Sequence, residues 1–229
     1  MSGLSLGSFV ASSLSTAEVE AAERLYGGLA DDVRRLVDVV IRTEVDAGRV
    51  EEARALVRRA EELLAEEAKA GPAGIHFNHE GRSWNWGNAV VGVRNAVAPP
   101  LRLARGEDGV VRTDAELGAA YEGPPGCVHG GVSALMLDHL MGETASAGHT
   151  RMTVTGTLTL RYATPLPLGP VWLRAWIEEE AGRKITVLAQ IGPGDPEAGA
   201  APAIEAQGLF IVPRWAQGDA APPGVGSLD

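Results

Sequence analysis

The sequence predicts an α+β protein in which an antiparallel sheet wraps one long helix, with a helical extension ahead of it. Three observations carry this. From His129 to about Ala147 there is one apolar helical run, with Val132, Leu135, Met136, Leu140 and Met141, and Gly148 as its stop. Four strand-like stretches then follow in a row, starting near Met152, Val171, Lys184 and Ala203. The first seventy residues instead repeat their apolar positions every three or four residues.

In chain order, Met1 to Ser15 is mildly apolar, lacks a basic start and is too short to span a bilayer, so it is expected to be frayed or loosely docked. A helix is expected from Thr16, as N-cap, to about Val45, with Glu18 and Glu20 in its first turn. Its stripe is Val19, Leu25, Leu29, Val33, Leu36, Val40 and Ile41. Gly27-Gly28 interrupts the run and is a place for it to divide into two helices, and Asp46-Ala47-Gly48 reads as its stop. A second helix is expected from about Val50 to Ala70. The pair reads as a hairpin covering the outer face of the sheet, in preference to a dimer–dimer contact or a lid. Residues 71–98 are rich in Gly and Asn and read as an irregular linker, which Trp84 and Trp86 mark as docked.

Leu101 to Ala104 and Val110 to Leu117 flank Gly106-Glu107-Asp108-Gly109, a hairpin turn. In the stretch from Met152 to Tyr162, strict alternation places Thr153, Thr155, Thr157 and Thr159 on one face and Val154, Leu158, Leu160 and Tyr162 on the other. The chain past Ala216 is expected to be a disordered tail. The division is therefore a helical extension (1–70), a linker (71–98), the α+β domain (99–213) and a tail (214–229).

A formal net charge of −10 argues against a nucleic-acid partner, which would need a basic face. It leaves room for an anionic ligand met by a few clustered cations. The single cysteine, Cys127, forbids an intramolecular disulfide and, with no secretory signal, favours the cytoplasm; no membrane segment is expected.

The stretch Glu122-Gly-Pro-Pro-Gly-Cys-Val-His129-Gly130-Gly131 leads into the apolar helix, and Asp138 follows His129 by nine positions. Arg161-Tyr162-Ala-Thr-Pro165-Leu-Pro167 and the turn Gly182-Arg183-Lys184 come later. Together these resemble the hotdog-fold acyl-CoA thioesterase superfamily, in the branch of the phenylacetate-pathway thioesterases and the thioesterase-superfamily-member proteins. The resemblance spans roughly 99–213. It implies a hotdog fold, hydrolysis of an acyl-CoA to the acid and CoA, and Asp138 as the catalytic carboxylate. It also implies Thr155 as a holder of the attacking water, with Thr153 as the fallback if the alignment slips by two. Some relatives carry an Asn just before the His-Gly-Gly; the matching position here is about Gly123.

Thioester hydrolysis needs a polarised carbonyl and an activated oxygen. A helix N-terminus offers unpaired N–H groups and a positive dipole end. Glycines at 130 and 131 let a ligand approach that backbone, so the Gly130 N–H is the candidate oxyanion donor, with Gly131 beside it and His129 as a further contact. Asp138 serves as general base or as nucleophile. Eight residues of helix separate Gly130 from Asp138 by roughly 12 Å. One carbonyl reaches both only across two antiparallel helices, which implies a homodimer, or a dimer of dimers, with shared sites. Arg183 and Lys184 are candidates for the CoA phosphates.

Other readings compete. Dehydratases and non-catalytic acyl-CoA-binding modules share the fold. Glu143 is a reserve carboxylate expected to face solvent, and His139 and His149 read as structural or exposed. His76-x-x-His79-Glu80 has metal-like spacing without a further ligand cluster, so no metal is expected, and no cofactor beyond the CoA of the substrate. Cys127 reads as a buried or pocket-lining residue and not as a nucleophile.

Overall fold

The computed structural model describes residues 9–196, 199 and 201–216. Its elements in chain order are β1 (Phe9–Ala11), α1 (Thr16–Arg42), α2 (Ala47–Ala65), β2 (Ile75–Phe77), β3 (Ser83–Trp84), β4 (Ala104–Arg105), β5 (Val111–Leu117), α3 (Gly130–Ala145), β6 (Val154–Tyr162), β7 (Gly169–Ala181), β8 (Lys184–Pro193) and β9 (Ile204–Ile211). The six later strands form one antiparallel sheet in the order β4-β5-β7-β8-β9-β6.

Helix α3 lies on this sheet because one flank of it is continuously apolar. Met136, Leu137, Leu140, Met141 and Ala145 are fully buried, and they share a core with Leu173, Ala175, Ile185, Val187, Ala189 and Phe210. Each of the Leu, Ile, Val, Met and Phe side chains among them contributes about 1.5–3 kcal/mol of burial. The end of the helix is held by cations from other elements. Arg105 donates to the carbonyls of Glu143 and Thr144, and Arg151 Nε donates to that of Ala145 at 2.7 Å. Positive charge at the C-terminal carbonyls opposes the helix dipole.

The extension differs from expectation in several respects. Helix α1 is continuous through Gly27-Gly28. Two glycines cost about 1 kcal/mol each against alanine, and contacts on both sides of them hold the helix straight. Glu23 accepts from Arg82 and from the Trp86 indole, Arg34 donates to the Ala98 and Asn95 carbonyls, and Asp38 accepts from the Ala119 N–H. The N-cap is Ser15 and not Thr16, in a reciprocal capping box with Glu18. Asp46, expected in a stop, instead caps the start of α2 through the Arg49 N–H. The expected cover over the outer sheet face does not form. Helix α1 docks on the 82–98 segment and the turn at 119–121, and α2 buries no residue.

The stretch expected to be an irregular linker contains β2 and β3; β2 pairs with β1 on one side and β3 on the other, in a small sheet of order β1-β2-β3. The segment expected to be frayed or loosely docked is docked in part, supplying a strand at Phe9–Ala11. Strands of two or three residues are too short to leave a periodic signal. Trp84 is docked as expected, 4% exposed and stacked on His76. Arg214–Ala216 forms a short 3-10 turn; the rest of the expected tail lies outside the described residues. No helix among the described residues is long and apolar enough to cross a membrane.

Strand β6 departs from strict alternation. Thr155 pairs with Phe210 and Thr157 with Leu209, so Gly156 is an unpaired extra residue. Directly paired residues share a face. Thr155 therefore lies on the side of buried Phe210, with Leu158 and Leu160, while Thr157 and Thr159 face outward. The four-threonine face expected from alternation is broken at the bulge.

Candidate active site

The loop before α3 sets the geometry of its first turn. Glu122 and Val128 form an isolated antiparallel bridge, and the Gly123 N–H donates to the Cys127 carbonyl at 2.9 Å. Cys127 itself is half-buried and pairs with Pro167. A Cβ on Gly123 would sit 2.7 Å from the His129 Cα, so this position has no room for an asparagine. His129 caps the helix: its Nδ1 accepts from the Gly131 N–H at 3.0 Å. That bond places the proton of the neutral ring on Nε2.

The Gly131 N–H is thus occupied, whereas the Gly130 N–H makes no hydrogen bond among the described residues. The Tyr162 hydroxyl donates to the Gly130 carbonyl at 3.0 Å, and its ring would lie 3.2 Å from a Cβ at this position. Glycine here leaves an approachable, unpaired donor at the positive end of α3.

Two turns further along α3, Asp138 is half-buried, and its Oδ1 accepts from the Thr155 hydroxyl at 2.9 Å. The β-bulge at Gly156 makes this contact possible. Asp138, Thr155 and Thr153 line one cavity of about 360 Å³. The structure brings these three together and leaves Gly130, Gly131 and His129 at the other end of the helix. Arg183 donates to the Val212 carbonyl at 2.9 Å, and exposed Lys184 pairs with Ile211, which in turn pairs with Val154.

The same cavity holds a polar cluster that sequence reasoning treated as incidental. Glu143 is mostly covered and not solvent-facing: it meets His149 at 3.0 Å, and His139 Nε2 lies 4.0 Å from its other oxygen. Burial holds the His139 imidazole below its ordinary pKa, against the pull of the Glu143 and Asp138 charges. Burial pushes the Glu143 carboxyl up, but the His149 hydrogen bond and the charges of His149, His139 and Arg105 leave it below the usual value. His149 is held in the left-handed region at φ 61°, as is Ala147 at φ 52°. Such backbone costs about 1–3 kcal/mol per residue and gathers at functional sites. The i, i+4 spacing of His139 and Glu143 was the available signal. Nothing in the sequence marked Tyr162 as the partner of Gly130.

Among the described residues no cluster of three metal-ligating side chains occurs; the His76 Nε2 lies 2.8 Å from the Ala73 carbonyl, and His79 is paired with Glu80.

Residues 125–199 match the family model described as the thioesterase superfamily. The crystal structure of RHA08564, a thioesterase superfamily protein, is 34% identical and covers 81% of this chain and 90% of its own, with a TM-score of 0.70. Acyl-coenzyme A thioesterase THEM4 of Xenopus laevis is 38% identical over 82 residues, which are 34% of this chain. The match spans 35% of that protein's length.

Proposed function

The chain belongs to the thioesterase superfamily, with its hotdog fold, and from that premise we propose that it hydrolyses an acyl-CoA to the free acid and CoA. The observation that carries this reading is the 2.9 Å bond from the Thr155 hydroxyl to Asp138. It fixes one carboxylate oxygen and leaves the other to take a proton from water. Asp138 then acts as general base. The water oxygen attacks the thioester carbon, and the Gly130 N–H of a second subunit holds the developing oxyanion. Collapse breaks the C–S bond, and the thiolate of CoA recovers the proton from Asp138. The THEM4 relative, an acyl-coenzyme A thioesterase by name, supports the substrate class. Lys184, exposed near the end of β6, is the better placed of the two basic candidates for a CoA phosphate, since Arg183 is engaged with Val212.

The shared site rests on distance and on the exposed edge of the sheet. Gly130 and Asp138 stand roughly 12 Å apart on one helix. Strand β6 is an edge strand whose Val154 and Tyr162 are exposed, as is Leu135 of α3. A long unprotected edge is a template for pairing with another chain, and a second copy seated there would bring its α3 against this one.

The test is thiol release from a panel of acyl-CoA esters. Asp138→Asn is expected to lower kcat by about 10²–10⁴ with little change in KM. Full activity in that variant overturns the assignment.

A further inference from the structure

The cavity beside Asp138 is closed by residues outside the 125–199 match: Ile75, Ser83, Trp84, Asn85, Asn88 and Val91, all from the segment that ties α1 to the sheet. Ser83 is 5% exposed and Trp84 is 4% exposed, yet neither the Ser83 hydroxyl nor the Trp84 indole N–H has a hydrogen-bond partner among the described residues. His139 Nε2, from the opposite wall, is likewise buried and unpaired, because Glu143 is drawn to His149. Buried polar groups nearly always find partners. Of the three, only His139 Nε2 is shut off from water; the Ser83 hydroxyl and the Trp84 N–H, on side chains otherwise buried, stay reachable without a protein partner on residues that line one cavity, where a ligand would supply one.

We propose that this cavity is the acyl subsite and that it selects an acyl group bearing a neutral hydrogen-bond-accepting oxygen, a hydroxyl or a carbonyl, a few bonds beyond the thioester. The inference rests on the reading that the thioester lies at Asp138. An indole N–H is a donor only, so the ligand must present an acceptor, which a plain alkyl chain lacks. Glu143 lies five residues beyond Asp138, roughly 7 Å along the helix, so the oxygen belongs a short distance from the scissile bond. Glu143 lines the cavity with its carboxyl held below the usual pKa, and its charge rejects a terminal carboxylate also when Asp138 is replaced by Asn. The remaining cation, Arg151, is taken by Glu180 and the Ala145 carbonyl. Selection therefore comes from the extension, through Ser83 and Trp84, on the wall of the cavity that faces α3.

Isothermal titration calorimetry on Asp138→Asn, with butyryl-CoA, 3-hydroxybutyryl-CoA and succinyl-CoA as probes, tests this. The hydroxyacyl ester is expected to bind about tenfold tighter than either of the others or more, since a site built for a hydroxyl discriminates strongly against its absence. Adding Trp84→Phe or Ser83→Ala is expected to shrink that preference to about threefold or less; Ser83→Ala is the smaller change and guards against misfolding at the tryptophan. Equal affinity for the three esters overturns the subsite, as does preference for succinyl-CoA, or a preference that survives both second substitutions. Thiol release by the wild type, measured alongside, reads the hydrolysis separately: no release from any ester sinks that activity and leaves the calorimetric answer standing.

Discussion

The Thr155 hydroxyl meets Asp138 because Gly156 is left unpaired between two rungs of the β6–β9 ladder. A carboxylate held on one oxygen keeps a fixed direction toward its water, and orientation of this kind contributes to the barrier. Thr155→Val removes the donor and keeps the shape. It is expected to lower kcat about tenfold to a hundredfold with KM nearly unchanged, and Thr155→Ser is expected to restore most of the loss. Steady-state thiol release checks both, and an equal loss in the serine variant rules out a hydrogen-bonding role. The positions of Gly130 at the start of α3 and of Asp138 two turns on were legible in the sequence, because a helix N-terminus and a nine-residue spacing are local features. Thr155 was legible as a residue but not as a direction: alternation assigned it to the face of Thr157 and Thr159, and a one-residue bulge reverses that assignment. The pairing of Glu143 with His149 was not legible, since it depends on a left-handed turn at 147–149.

Among the elements, α3 and β7 to β9 were legible within a few residues, because each carries an uninterrupted apolar pattern against one core. The small sheet β1-β2-β3 was not, and neither was the docking of α1 on loops, which rests on polar bonds from Glu23, Arg34 and Asp38 instead of on its apolar stripe. The entry into α3 depends on one close approach. Gly123 packs against the His129 backbone, where an added Cβ would fall 2.7 Å from the Cα. Neither side of that contact is a flexible side-chain end, so the loop at 122–128 has to move. Gly123→Ala is expected to destabilise the protein by about 1–3 kcal/mol and to lower activity through displacement of the first turn of α3. A thermal melt and a thiol-release assay check it together; a wild-type melting temperature shows that the loop absorbs the methyl group.

For the molecule as a whole, His139 and Glu143 bind protons more readily in the unfolded chain than in the folded one. Their stabilisation is fully present above about pH 6.5 and fades as pH falls, first through His139 and then, below about 4.5, through Glu143. Each group adds at most about 1.4 kcal/mol per pH unit. The melting temperature is therefore expected to drop from pH 6.5 toward 4, and His139→Gln is expected to flatten the upper part of that drop; an unchanged slope removes His139 from the account. Assembly is tested by complementation. If each site takes Gly130 from one subunit and Asp138 from the other, Asp138→Asn and Gly130→Val, each inactive alone, repair one another when mixed. In a mixed dimer one site inherits both lesions and the other inherits neither. With random pairing half the dimers are mixed, each with one of two sites intact, so co-expression is expected to restore about a quarter of wild-type activity. A site completed within one chain predicts no gain over the separate variants, because every chain then carries a lesion. Restored thiol release thus reads which chain supplies the oxyanion donor, and it does so without knowledge of the acyl group.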